Sequence, residues 1–202
     1  AGPNEKVFFR SDFHWTPIGA RLAAEAIGRT IRALPAYDGV TPARFTSQEA
    51  GPETAFSGLR RELQTFCKET LPPVEARTWI TTRATEADAP AASAGQDGAL
   101  DIFGQGDGGA SLVLVGTSFS DSTINNFAGF LSEFTGIETT NYSITGGNQF
   151  GAMTSYLTSR EFAEHRPTFL IWENPIYNSL AQFGPMPLDE LIAAAGPPCD
   201  IP

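Results

Sequence analysis

A chain of 202 residues, 41% apolar and 18% charged, can bury one substantial core, which excludes fibrous and wholly disordered classes. Its net charge of -10 argues against sequence-independent nucleic-acid binding, because that binding rests on Lys and Arg neutralising phosphates. No apolar run approaches the roughly 18 to 20 residues needed to cross a bilayer, so no membrane span is expected.

In chain order, Lys6 to Arg10 (KVFFR) reads as a short strand. Thr16-Pro17 then supplies a hydroxyl cap and a proline at the first helical position, and Ile18, Leu22, Ala23, Ala26, Ile27, Ile31 and Leu34 form one helical stripe that Pro35 stops. Residues 36 to 57 are rich in Pro, Gly, Thr and Ser and read as a surface excursion, followed by a short helix at Gly58 to Phe66 and a strand at Val74 to Thr82. From 84 to 109 an Ala/Gly/Asp-rich composition cannot offset its ordering entropy and predicts a flexible loop. QDGALDIFGQGDGG within it lacks the ligand spacing and terminal Glu of a calcium loop. The remainder alternates: strand Ser111 to Val115, helix Ile124 to Phe134, strand Glu138 to Ile144, helix Gly151 to His165, strand Thr168 to Trp172. This rhythm predicts a single α/β domain over 1–202, with a mostly parallel sheet of about five strands and helices on both faces.

Cys67 and Cys199 are too far apart for a redox or zinc pair and there are only two histidines, so no metal and no cofactor is expected. The cysteines form one disulfide in an exported protein or are two unrelated thiols. The chain starts at Ala1 without a methionine or signal peptide and reads as a processed product or an excised segment.

In open α/β sheets reactive groups gather beyond the carboxyl ends of strands. Here those places hold Asp12 and His14; Thr117, Ser118 and Ser120; Gly146, Gly147 and Asn148; and Glu173, Asn174 and Tyr177. Ser118 follows the buried run LVLVG in a strand-to-helix turn, as a nucleophile or as part of a helix cap. One residue separates Asp12 from His14, which in an extended segment puts a carboxylate beside an imidazole that could serve as the serine's base. His165 ends a helix and is expected at the opposite edge of the sheet. Asn148 could donate its amide to an oxyanion, with Gly147 allowing close backbone approach, or simply occupy a left-handed turn. Trp15 and Tyr177 are packing residues or stack on sugar rings.

With these residues in view, the sequence resembles the SGNH-hydrolase-like proteins of bacterial exopolysaccharide O-acetylation, of the alginate O-acetyltransferase AlgJ/AlgX type. FFRSDFHWTPIGARLAAEAI, LVLVGTSFSDS, and GGNQFGAMTSYL with FLIWENPIYN carry the resemblance, in order, over nearly the whole chain. It implies a flavodoxin-like three-layer α/β/α fold in which Asp and His precede Ser, a circularly permuted order. Ser118 is then the nucleophile, His14 the base and Asp12 its orienting carboxylate, with Asn148 and Tyr177 placed for oxyanion or substrate contacts. The resemblance further implies a periplasmic enzyme acting on an exported polysaccharide such as alginate, with an acetyl donor delivered by a membrane-bound acyltransferase partner. It also implies sequence lost before the Asp-x-His block, where a partner for Cys67 could lie. An acetylesterase shares every one of these residues, and a non-catalytic polysaccharide-binding or assembly subunit is the remaining class.

Charge is uneven: residues 1–83 hold 11 Lys and Arg against 9 Asp and Glu, whereas residues 84–202 hold 2 against 14. An anionic polymer is therefore expected over the first part, near Arg10, Arg21 and the cluster Arg60, Arg61 and Lys68.

Overall fold

The computed structural model describes residues 6–10, 12–55, 57–84, 110–179, 181–182 and 184–196. Residues 85–109, with almost all of the expected loop, and Cys199, with the disulfide question, lie outside the described residues.

Helix α1 (Pro17–Arg32) begins where its cap predicts: the Thr16 hydroxyl accepts from the Gly19 N–H at 3.2 Å, and Pro17, which has no N–H to leave unpaired, opens the first turn. Ala20, Ala24, Gly28 and Ile31 recur at helical spacing and are buried. The segment before it is not the expected strand. Only Phe8 bridges, to Trp15, and the chain folds back on itself through Phe9 N–H to the His14 carbonyl (3.1 Å) and Thr16 N–H to the Val7 carbonyl (2.9 Å). Its hydrogen bonds are thus spent within a local loop rather than on a sheet.

The expected surface excursion hides strand β1 (Phe45–Ala55), which pairs antiparallel with β2 (Val74–Arg83); the capped helix α2 (Gly58–Gln64) lies between them. Most of β1 is exposed or half-exposed, so it lacks the apolar alternation by which strands are recognised. It also carries a register shift between Glu49 and Gly51, and Pro52, which such an edge strand tolerates.

The parallel sheet consists of β3 (Leu112–Val115) between β4 (Thr139–Asn141) and β5 (Phe169–Trp172). Among the described residues, then, the mostly parallel sheet of about five strands resolves into three parallel strands and a separate antiparallel ribbon. After β3 come the short helix α3 (Ser118–Asp121), a 3-10 turn at Thr123–Asn125, and α4 (Phe127–Thr135), which breaks the expected 124–134 helix at Asn126, held left-handed at φ 49°. The expected helix to His165 is likewise two, α5 (Gly151–Leu157) and α6 (Arg160–Glu164), because the Ser159 hydroxyl caps the second by accepting from the Phe162 N–H at 3.1 Å. Helix α7 (Met186–Ala195) follows β5 and was not anticipated.

All four β3 residues are buried, and their alternation feeds two cores. Leu112 and Leu114 pack with Ala20 and Ala24 of α1 and Phe127 and Phe130 of α4, whereas Val113 and Val115 pack with Met153 and Tyr156 of α5, Phe162 of α6 and Leu191 of α7. Helices therefore cover both faces. Where α1 crosses α4 a Cβ on Gly28 would lie 2.8 Å from the Phe134 Cβ and 3.0 Å from its carbonyl oxygen, so only glycine permits this approach.

Candidate active site

Two loops meet beyond the carboxyl end of β3. The first folds back before α1 and presents Asp12 and His14; the second is the turn from β3 into α3 and presents Ser118, which is 104 positions from His14 in sequence. His14 Nε2 lies 2.7 Å from Ser118 Oγ, and His14 Nδ1 meets Asp12 Oδ1. Asp12 is buried, and its Oδ1 also accepts from the backbone N–H of His14 at 2.9 Å. The carboxylate thus curls back onto its own chain in a bend, not across the extended segment that the Asp-x-His spacing suggests. The outcome for chemistry is the same: Nδ1–H is held on the carboxylate, leaving Nε2 to accept a proton from the serine.

Burial alone would raise the Asp12 pKa, but the amide and ring of His14 and the hydroxyl of Ser57 together outweigh it and hold the group below its ordinary value. Ser57 also caps α2, accepting from the Arg60 N–H at 3.0 Å. Because folding depresses this pKa, ionised Asp12 adds stability above the unfolded value of about 3.9, and that contribution is lost as pH falls through the lower folded value. Ser57→Ala should move the Asp12 pKa back upward, visible in an NMR titration of its carboxyl carbon, and should cost about 1 kcal/mol for the lost cap.

The turn that carries Ser118 is braced. Thr117 accepts from the Phe119 N–H, and the Phe119 carbonyl in turn accepts from the Trp15 indole at 2.8 Å. Of the two readings of Trp15, packing is the one seen here: its ring lies 4.7 Å from that of Phe127. The Ser118 N–H, at the first helical position, has no intrahelical carbonyl to serve and is available to an oxyanion. Phe13, half exposed, lies over the His14 ring at 4.4 Å and meets Tyr177 edge-on at 5.9 Å. Tyr177 also approaches Phe119, at 6.2 Å. Burial, then the charges of Glu173 and Asp12, push the Tyr177 pKa upward, so its hydroxyl remains protonated and able to donate.

Asn148 is exposed and left-handed at φ 52°, with its Oδ1 accepting from the Phe150 N–H at 2.8 Å, while the Gly147 N–H donates to the Ile144 carbonyl at 3.2 Å. The turn reading thus describes their backbone, and the Gly147 N–H is already engaged. The turn is tied to the nucleophile loop through Ile144 N–H to the Gly116 carbonyl and Thr145 N–H to Asp121 Oδ2, both 3.0 Å.

Residues 1–176 match the family described as the SGNH hydrolase-like domain of the acetyltransferase AlgX. The chain belongs to that family. It is 34% identical over 178 residues to the alginate biosynthesis protein AlgX of Pseudomonas putida, covering 88% of this chain and 35% of the relative. It is 32% identical over 206 residues to the probable alginate O-acetylase AlgJ of Pseudomonas aeruginosa, covering 97% of this chain and 51% of the relative. Among solved structures it resembles Pseudomonas aeruginosa AlgX (TM-score 0.72, 26% identity, 90% of this chain and 38% of that one). It also resembles the O-acetyltransferase domain of Pseudomonas putida AlgJ (TM-score 0.68, 25% identity, 93% and 61%). The chain therefore spans between about a third and a half of the length of these two curated relatives.

In this AlgX-family domain His165 is exposed at the end of α6, 3.7 Å from Glu161, at the amino-terminal side of β5 and away from the strand ends that carry the site. Among the described residues no cluster of three His, Cys, Asp or Glu side chains is placed to hold a metal ion, and no helix is long and apolar enough to cross a membrane. Sequence reasoning gave no role to Phe13, Ser57 or Glu173. Glu173 is among the polar residues that follow a strand, but only the side-by-side pairing of β3 and β5 brings it to the serine turn.

Proposed function

We propose that this domain transfers acetyl groups through an ester on Ser118 to hydroxyls of an exported polysaccharide of the alginate class. The observation that carries the reading is the Ser118–His14–Asp12 chain of hydrogen bonds at the end of β3. Ser118 Oγ attacks the acetyl carbonyl of a donor as His14 Nε2 takes its proton, and the Ser118 N–H faces the developing oxyanion. The leaving group departs with the proton from His14, giving acetyl-Ser118 and neutral imidazole. A sugar hydroxyl then attacks the ester as His14 removes its proton, and collapse returns that proton to Ser118. Asp12 fixes the tautomer and steadies the imidazolium in both halves. Tyr177, as a neutral donor, and the Asn148 amide are the side chains assigned to oxyanion or substrate contacts.

The family and the names of its relatives support acetyl transfer in alginate biosynthesis; a periplasmic setting and a membrane-bound acyltransferase partner that supplies the acetyl group are further parts of the proposal. The Asp–His–Ser order along the chain supports a permuted arrangement of the SGNH blocks. Incubation with an activated acetyl ester should add one acetyl group to the intact mass, mapped to Ser118, and polyuronate oligosaccharide should then discharge it faster than water. Discharge by water alone would make the protein an esterase. No acylation under either condition would leave a polysaccharide-binding subunit.

A polyuronate needs cations to approach a chain of charge -10. Arg60 does not serve, since its guanidinium donates to the Pro72 carbonyl at 2.6 Å and to the Leu71 carbonyl, and Arg21 pairs with Glu133 at 3.2 Å. Lys6, Arg10 and Arg77, with Glu75 among them, instead line a cleft of about 580 Å³ between the loop before α1 and the start of β2; Arg77 lies 3.8 Å from Glu49 but is largely exposed. Charge reversal at Arg10 and Arg77 should weaken polyuronate binding about tenfold at low salt. The difference should shrink as salt rises, because exposed charges are screened over about 8 Å at physiological strength. Binding titrations at two salt concentrations check this, with turnover of a small neutral acetyl ester unchanged.

A further inference from the structure

From its contacts we infer that Glu173 is a positioning residue for the nucleophile, acting through the turn that carries Ser118; this rests on the reading of Ser118 as the acetyl-accepting serine. Glu173 follows β5 directly and is held in line with the sheet by its own N–H, which donates to the Val115 carbonyl at 2.8 Å. Its carboxylate gathers donors from Thr117, directly before Ser118, and from Ser120, two residues after it. The Thr117 N–H donates to Oε2 at 2.8 Å, the Thr117 hydroxyl reaches Oε2 at 3.0 Å and Oε1 at 3.2 Å, and the Ser120 hydroxyl donates to Oε2 at 3.0 Å. Thr117 and Ser120 are buried, so these donors have little water to turn to if the carboxylate is lost.

The fit extends to Gly116: a Cβ there would lie 2.6 Å from Glu173 Oε2 and 2.9 Å from Ser120 Oγ, so glycine keeps the space that the carboxylate occupies. From the other side of the sheet, Asn141 at the end of β4 donates its amide to the Ser120 carbonyl at 2.8 Å. The serine turn at the end of the central strand is thus gripped from both neighbouring strands. Glu173 touches neither Oγ of Ser118 nor the His14 ring in this arrangement, so its influence is on where Oγ sits. A general base must reach a correctly placed hydroxyl, and displacement of about 1 Å can cost on the order of a hundredfold in rate.

The test uses the whole protein, a fluorophosphonate that phosphonylates activated serines, and an activated acetyl ester. Thermal melts establish the folded fraction of each variant, and rates are expressed per folded molecule. Glu173→Gln keeps the shape and one acceptor but faces two hydroxyl donors with an amide. It should label Ser118 about tenfold more slowly and lower kcat about tenfold, with KM within twofold of the parent. Glu173→Ala should label at least about a hundredfold more slowly. Should the alanine variant fail to fold, the glutamine variant decides alone. Parental labelling rates and kcat per folded molecule, with only the melting temperature lowered, would overturn the inference and leave the nucleophile standing. Absence of label at Ser118 in the parent protein would overturn the nucleophile itself, and this inference with it.

Discussion

Ser118→Ala should reduce acyl transfer at least about a thousandfold and abolish the acetylated form of the protein, while the melting temperature stays within a few degrees of the parent. The asymmetry follows from the bonding. Ser118 Oγ meets His14 Nε2, whereas the turn itself is held by Thr117, Ser120, Glu173 and Asn141, all of which the substitution leaves in place. The cap of α3 is the Thr117 hydroxyl and not Ser118, so no helix cap is lost. Removing the nucleophile of a serine-histidine pair leaves only binding and oxyanion stabilisation to promote reaction. Steady-state turnover of an activated acetyl ester, with intact-mass analysis of the same samples, checks both halves of the result. Parental turnover in the purified variant would remove Ser118 from its role.

Asp12→Asn should cost about three to four orders of magnitude in kcat, and His14→Ala about as much, whereas His165→Ala should stay within about twofold of the parent. Asparagine can still accept from the His14 backbone N–H, so the loop should keep its bend, but the amide cannot steady a positively charged ring. Stability adds a signature, because Asp12 is held below its ordinary pKa: the parent loses the Asp12 contribution as pH drops below about 4, while Asp12→Asn has none to lose and should show a flatter acid-unfolding curve there. A dead His165 variant with an active His14 variant would reverse the assignment of the base.

The candidate site residues Asp12, His14 and Ser118 are readable because each sits in a short segment with a strong local rule. Thr16-Pro17 marks a helix start, so Asp12 and His14 are placed just ahead of it; LVLVG marks a buried strand, so Ser118 is placed just beyond its end. What was not readable depended on partners distant in sequence. β1 has no apolar face of its own and is a strand because β2 lies beside it. KVFFR has the composition of a strand, but its hydrogen bonds close on Phe9, His14 and Thr16, forming the loop that carries Asp12. Ser57 caps α2, and its second role beside Asp12 exists only in three dimensions. Trp15 in DFHWTP reads as packing or as a substrate contact, and only the fold shows that the carbonyl taking its N–H belongs to Phe119.

The loop with Asp12 and His14 leads into α1, and the turn with Ser118 leaves β3 toward α4, so the close packing of α1 on α4 bears on how the two halves of the candidate site sit. At Gly28 that packing leaves no room for a side chain: a methyl group there would meet the Phe134 side chain and backbone, and one helix would have to give.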